Sequence, residues 1–287
     1  MTTLLLQLSD LHIREPGRLA YGRLDTAPYL SQAVDTILRL PQSPDAVVIT
    51  GDLSDFGRAA EYDHLRTLLA PLSMPVYLLP GNHDDCEQLR ASFPEHAYLG
   101  RSGFVQFSVA VGGLQLLALD TVVPGAEEGS LCQERLQWLS DTLDAHRNRP
   151  VVIAMHHPPF STLIGHMDAI GLRQGAAELE ALVARHSNVE RVICGHLHRS
   201  IQVRFGGTLA LTVPSPAHQV CLDLAPDAPS AWTLEPPGFG LHALSESGQL
   251  ISHTVPSGHF AGPYPFHDAG RLIDSKQRAA ADAGVSL

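Results

Sequence analysis

Apolar positions along the chain follow two rhythms. Short runs rich in β-branched residues and leucine read as strands: Thr3–Leu8, Ala46–Thr50, Val76–Leu79, Phe104–Val111, Leu114–Leu119, Val151–Met155, Arg191–Cys194 and Leu209–Val213. Longer amphipathic runs read as helices: Ala27–Leu40, Ala59–Leu72, Cys86–Ser92, Leu131–Arg147 and Gly175–His186. In the fourth of these, Leu136, Leu139, Leu143 and His146 are spaced to share one face. Strands alternating with helices imply βαβ crossovers, an α/β class and a mainly parallel sheet. Gly112-Gly113 between two neighbouring strands is a hairpin signal, so part of the sheet is expected to be antiparallel.

The texture changes after about residue 224. LAPDAPSAWTLEPPGFG is rich in proline and glycine, and VPSGHFAGPYPF repeats that character. The reading is a main domain over 1–223 and a C-terminal cap or arm with a tail over 224–287, ending in a frayed ADAGVSL. That arm is also where contacts of a homo-oligomer, dimer or higher, are expected. There is no internal repeat and no low-complexity tract.

Composition narrows the function. Apolar residues make up 44% of 287 residues, enough for a large core, yet no run approaches the roughly 18 needed for a membrane span. The start, MTTLLLQLSDLHIRE, has no basic segment and meets an acid at position 10, so it reads as a first strand and not as an export signal. Cytoplasmic placement and no membrane partner follow as expectations. Net charge is −11, from 30 acids against 19 bases, with no basic stripe, which argues against a long nucleic acid as partner. An acidic chain can still handle a small phosphate if metal ions supply the positive charge. The four cysteines form no C-x-x-C pair and read as inert thiols; Cys194 is simply the last buried residue of its strand. Histidine, at 16, is the unusual count, and beside many acids it points to nitrogen and oxygen ligands.

Polar groups gather where strands end. Thr3–Leu8 runs into Ser9, Asp10, Leu11, His12; Ala46–Thr50 into Gly51, Asp52, Leu53, Ser54, Asp55; Val76–Leu79 into Gly81, Asn82, His83, Asp84. Val151–Met155 runs into His156, His157, Pro158, Pro159, and Arg191–Cys194 into Gly195, His196, Leu197, His198. Each stretch alone could be an ordinary turn. Five in order, behind five strands, fall at the sheet edge where α/β proteins bind ligands. Asp120 ends another strand and reads as a supporting residue, while His64, His96, His146 and His186 lie away from strand ends and read as ordinary.

Asp10, His12, Asp52, Asn82, His156, His196 and His198 offer carboxylate, amide and imidazole donors and no thiolate. Seven ligands are too many for one ion and suit two, provided one carboxylate bridges. Alternate side chains of an extended His-x-His point the same way, so His196 and His198 can face adjacent ions. Two ions about 3.5–4 Å apart form a clamp for phosphoryl transfer. No phosphate-cradling glycine loop with its lysine and no G-x-S-x-G elbow is present.

SDLH at 9–12, GDLSD at 51–55, GNHDD at 81–85, HHPP at 156–159 and GHLH at 195–198 together resemble the calcineurin-like metallophosphoesterases. Within them the chain is similar to the bacterial cyclic-nucleotide phosphodiesterase and glycerophosphodiesterase branch, also through AHQV at 217–220 and HFAGPYPF at 259–266. The resemblance implies two packed mixed β-sheets flanked by helices, a four-layer αββα sandwich. It assigns Asp10, His12 and His198 to one metal, Asn82, His156 and His196 to the other, and Asp52 to both. His83 would touch the phosphate or protonate the leaving alkoxide. His218 would be a second phosphate contact, and Tyr21 a residue of the substrate pocket. The implied activity is hydrolysis of small phosphodiesters, 3',5'-cyclic nucleotides or glycerophosphodiesters, by a hydroxide shared between two divalent ions (manganese, iron, zinc or cobalt). Protein phosphatases of this type carry Asp-Arg-Gly in the second motif, where this chain has GDLSDFG, and the departure favours diesters. A phosphomonoesterase or a nuclease of the same superfamily is the alternative, and a non-enzymatic scaffold the remote one.

Overall fold

The computed structural model describes residues 2–268 and 271–272; the expected frayed close over residues 281–287 lies outside the described residues. Eleven strands form two mixed sheets: β1 (Thr3–Leu8), β2 (Ala46–Thr50), β3 (Val76–Leu79), β4 (Phe107–Val111), β5 (Leu114–Leu119), β6 (Val151–Met155), β7 (Val189–Cys194), β8 (Ile201–Phe205), β9 (Thr208–Thr212), β10 (Gly238–Leu244) and β11 (Leu250–Pro256). The first sheet has the order β11-β10-β1-β2-β3 and the second β8-β9-β7-β6-β5-β4. β1, β2 and β3 run parallel, as do β5, β6, β7 and β9, while the hairpins β4/β5, β8/β9 and β10/β11 are antiparallel.

The continuous apolar runs are explained by burial on both faces. In β1 and β2, Leu6, Leu8, Val47 and Ile49 point outward onto α1 (Ala27–Leu38), α2 (Ala59–Leu69) and α3 (Cys86–Ser92). Leu5, Ala46 and Val48 point the other way, against Leu116, Ala118, Val152, Ala154 and Ile193 of the second sheet. The far face of that sheet, with Leu117, Ile153, Met155 and Val192, packs on α4 (Gln133–Ala145) and α6 (Ala176–Ala184). Between them in sequence lies a short helix, α5 (Gly165–Ala169). The result is the expected αββα sandwich. In α1 the buried residues Leu30, Ala33, Val34 and Ile37 follow the helical repeat, each large one worth about 1.5–3 kcal/mol of burial. No helix among the described residues is long and apolar enough to cross a membrane.

Two expectations need correction. The strand expected from Phe104 begins at Phe107, because Val105 turns aside to donate its N–H to Asp120 Oδ2 (2.9 Å). The cap or arm expected beyond residue 224 is instead a hairpin that joins the main domain. It is β10/β11, and β10 pairs antiparallel with β1 from Thr3↔Leu244 to Gln7↔Gly240, completing the first sheet. The reason is that β1 would otherwise be an unpaired edge in the middle of the core.

β10 also carries a buried imidazole into the space between the sheets. His242 Nδ1 lies 2.9 Å from Ser252 Oγ and Nε2 lies 3.1 Å from Gln7 Oε1. Burial, then the Arg191 and His253 charges, pull its pKa down to about 3. The folded protein therefore holds His242 neutral while the unfolded chain protonates it below about 6.5. Stability is fully present above that value and falls as pH drops towards 3, by about 1.4 kcal/mol per pH unit for this group. Urea denaturation between pH 7.5 and 5 is expected to show a shallower loss for His242→Gln than for the wild type. Equal slopes would count against this assignment.

Candidate metal centre

The loops after β1, β2 and β7 turn sharply to aim their side chains. Asp10, His12, Asp52, His196 and His198 all have positive φ, from 46° to 70°, a conformation that non-glycine residues seldom adopt. Each costs on the order of 1–3 kcal/mol and persists only where neighbours over-determine it. Here the first two loops are zipped together: Asp10 N donates to Gly51 O (3.0 Å), and Leu11 and His12 N to Asp52 O (2.8 and 2.9 Å). The third is tied across the sheets by His196 N donating to Asp10 Oδ1 (2.8 Å). Such close approach leaves no room for side chains at two glycines. A Cβ at Gly81 would overlap Asp52, and one at Gly195 would overlap Ser9 and Thr50.

The stretch GNHDD divides its labour. Asp84 accepts from the N–H groups of Leu53, Ser54 and Gly81 and from the hydroxyls of Ser54 and Tyr62, at 2.9–3.1 Å, and so locks the loop after β2 to the loop after β3. Asp85 caps α3 by accepting from Gln88 N (2.8 Å). Asn82 and His83 are left to face the site.

Two groups of donors result. In one, ligand atoms of Asp10, His12, Asp52 and His198 lie within 4.8 Å of one another. His12 Nε2 is 3.2 Å from His198 Nε2 and 3.5 Å from Asp52 Oδ2. In the other, His156 Nε2 is 3.1 Å from Asn82 Oδ1, 3.3 Å from His196 Nδ1 and 3.4 Å from Asp52 Oδ1. Asp52 thus turns one oxygen to each group.

Tautomers are set from behind. His156 Nδ1 donates to Thr50 O (2.8 Å) and His198 Nδ1 to His218 O (3.0 Å), while His12 Nδ1 faces Asp55 Oδ1 at 3.4 Å. That turns the Nε2 lone pairs of His198 and His156 into the site, towards His12 Nε2 and Asn82 Oδ1, where a cation would satisfy them. Among the described residues, Asp10 Oδ2, His12 Nδ1 and His196 Nε2 are buried without a hydrogen-bond partner. An imidazole, amide and carboxylate set of this kind fits divalent metal ions. Burial, with the nearby Asp52 charge and against the His156 charge, raises Asp10 to about 7. Burial opposes ionisation of Asp52 as well, yet His156 and His83 outweigh it and hold Asp52 below the usual carboxylate range.

His157 lies against His156 and His196 but has both ring nitrogens engaged, Nδ1 2.7 Å from Thr121 Oγ1 and Nε2 3.1 Å from Glu127 O. It supports its neighbours and is not placed to bind an ion. Asp120 is likewise structural, accepting from Val105 N and Val122 N.

The centre opens into a cavity of about 360 Å³. His83, one-third exposed, sits at its edge with Nδ1 3.0 Å from Asp55 O. Burial works against its protonation, but the Asp52 charge and the Asp55 carbonyl raise its pKa. His218 is buried, with Nε2 3.2 Å from the Tyr21 hydroxyl, and Tyr21 packs 5.9 Å from the Trp232 ring. Every residue expected at the site is therefore brought to one place. The sequence reading missed the far wall, Met167, Ile170, Val220 and Trp232, and it named Asp55 in the second motif without giving it the supporting role beside His12 and His83. Trp232 stands in a proline-rich stretch with no motif; only its unusual residue type could have flagged it.

A four-layer sandwich with buried imidazole and carboxylate groups at its strand ends defines a metallophosphoesterase architecture. Residues 3–200 match the calcineurin-like phosphoesterase family, and the chain belongs to it. It is 36% identical to a probable glycerophosphodiester phosphodiesterase of Arcobacter nitrofigilis over 94% of this chain and 100% of that one. It is 37% identical to a probable cyclic nucleotide phosphodiesterase of Rhodopseudomonas palustris, over 92% and 96%. Among solved structures, a dimetal phosphatase from Danio rerio superposes with a TM-score of 0.64 at 16% identity, over 89% of this chain and 99% of that one, a likeness of fold.

Proposed function

We propose that the protein is a dinuclear metal-dependent phosphodiesterase of small phosphodiesters, cyclic nucleotides or glycerophosphodiesters. The observation that carries this is Asp52, whose two oxygens lie 3.5 and 3.4 Å from imidazole nitrogens of two separate donor groups. In this reading Asp10, His12, Asp52 and His198 hold one ion, and Asp52, Asn82, His156 and His196 the other. Bound there, the ions supply positive charge to the phosphoryl oxygens and lower the pKa of a water. His83 stands at the cavity edge to give a proton to the departing alcohol, and His218, held by Tyr21, contacts the phosphate. The relatives named above are described as acting on diesters of these two kinds.

Charge supports a diester over a monoester. Among the described residues, no arginine or lysine lines the cavity, and Arg14 is tied to Glu15, Asp55 and Glu61. A singly charged diester needs less compensation than a monoester dianion. The test is turnover of a bis-aryl phosphate against its mono-aryl counterpart on protein loaded with manganese, with metal content measured. Faster monoester turnover, or turnover that survives complete chelation, would refute the proposal. The wall formed by Trp232, Ile170 and Met167 suits a ring better than a polyol. Trp232→Ala is therefore expected to lower kcat/KM for a cyclic nucleotide about 10-fold, in line with stacking worth about 1–3 kcal/mol, and to leave a glycerophosphodiester nearly unchanged. Equal losses on both would remove Trp232 from recognition.

A homo-oligomer through the C-terminal region belongs to the same proposal. Phe260, Tyr264 and Phe266, at 70%, 76% and 82% exposure, supply apolar surface for it. Light scattering that reports a monomer at working concentration would withdraw that part.

A further inference from the structure

The space between the two sheets is largely apolar, yet beside His242 it buries an amide. Gln7 is fully buried, and every hydrogen-bonding arm of its side chain but one lone pair is used. Nε2 donates to Thr50 Oγ1 (3.0 Å) and to Cys194 O (2.9 Å), and Oε1 lies 3.1 Å from His242 Nε2. The Ser252 hydroxyl on His242 Nδ1 leaves Nε2–H free to donate to Gln7. Gly240 lies directly opposite Gln7 in the register, and a Cβ there would collide with Val213 and press on His242 Nε2.

The positions of these partners matter more than their number. Thr50 and Cys194 are the last residues of β2 and β7, two residues before Asp52 and His196. Gln7 itself lies three residues before Asp10. One side chain thus joins the ends of the strands that launch three of the five ligand loops, and its bond to Cys194 crosses from one sheet to the other. Each donor group also draws on both sheets: His198 meets Asp10, His12 and Asp52 in one, and His156 and His196 meet Asn82 and Asp52 in the other. A slip of one sheet over the other by a few tenths of an ångström would therefore distort both groups at once. An apolar side chain would fill the same space without the cost of burying an amide, and would remove one of the ties across the sheets, beside those of His196 N to Asp10 Oδ1 and His156 Nδ1 to Thr50 O.

We infer that Gln7, oriented by His242, is a positioning residue that fixes the offset between the two sheets and so the spacing of the two cation sites. The inference rests on the dinuclear reading above. It also gives the C-terminal strand a part in the centre, since β10 supplies the imidazole that orients the amide.

The test uses manganese(II) alone, titrated calorimetrically into metal-free full-length protein, with the electron paramagnetic resonance spectrum of the loaded form. Gln7→Met keeps the volume and removes the bonds. It is expected to weaken the less tightly held ion about 10–100-fold, the size of effect known for supporting residues of metal sites, and to change the coupling between the two manganese spins. kcat should fall while KM changes little. Leu143→Ala, in the outer helical layer, serves as the control: it should lower the melting temperature and leave affinity and spectrum as in the wild type. Wild-type affinity and spin coupling in Gln7→Met would overturn the inference. Should Gln7→Met fail to fold, His242→Leu, which spares both bonds donated by Gln7, decides by the same two readouts; unchanged values there overturn it equally. A wild-type protein that takes up fewer than two ions sinks the dinuclear reading, and the clamp with it. Two ions bound identically by wild type and variants sink the clamp alone.

Discussion

Asp52→Ala is expected to lose at least one bound ion and about 10⁴-fold in kcat/KM, equivalent to about 5.5 kcal/mol of transition-state stabilisation. The size follows from how many contacts end on one carboxylate. Oδ2 faces His12, Oδ1 faces His156, and Oδ1 also accepts the backbone N–H of His83 at 3.0 Å. Removing it withdraws a ligand from both donor groups and the anchor of the residue proposed as the acid. It also removes one of the two carboxylates available to balance two divalent charges; the other is Asp10. Metal content by mass spectrometry, read beside turnover, separates loss of the ion from loss of the fold. Two ions retained with an unchanged rate would end the account of Asp52 as the bridge.

A contrasting buried carboxylate makes the point sharper. Asp84 is as buried as a ligand and only two residues from Asn82, yet its oxygens are consumed by donors from Leu53, Ser54, Tyr62 and Gly81. Sequence places both acids at strand ends and cannot tell them apart. What separates them is whether the nearby groups are donors, which satisfy a carboxylate, or lone pairs, which call for a cation. Asp84 meets N–H and O–H groups, and Asp52 meets imidazole nitrogens as well as the His83 N–H.

The same distinction governs how far the fold was legible. β1, β2, β3, β5 and β6 start and end where their apolar runs do, because both faces are buried and local residue type carries the signal. β10 was not legible as a member of the first sheet. Its sequence, GFGLHAL, contains two glycines and a histidine, and its partner β1 lies more than 230 residues earlier. Gly240, which weakens the strand signal, leaves space for Val213 and His242, and the histidine binds Gln7, so the features that hide the strand also serve the centre. Likewise the ligands were found because they stand in short strand-end motifs. The wall was not, because Met167, Ile170 and Trp232 meet only after the chain has folded.

His83→Ala is expected to keep both ions and lose activity unevenly. None of the proposed ligand sets includes its side chain; the ring stands beside His12, at 4.6 Å between centroids and nearly perpendicular to it, with Nδ1 turned back to the Asp55 carbonyl. That bond holds the ring and leaves Nε2 free towards the cavity. A group so placed can lend a proton to an alcohol leaving from phosphorus, help worth about 10²–10⁴-fold. The help is largest where the departing oxygen is most basic. An alkyl diester, such as a cyclic nucleotide or a glycerophosphodiester, should therefore lose the full factor. A nitrophenyl diester, whose leaving group departs as a stable anion, should lose much less. A residue that merely held the phosphate would cost both substrates alike, since the phosphate is common to them. Comparing kcat for the two substrates on wild type and His83→Ala, at matched manganese content, distinguishes proton donor from anion contact. Equal losses would move His83 into the second role and leave the departing alkoxide without a donor among the groups at this edge of the cavity, unless His218 reaches it from the opposite side.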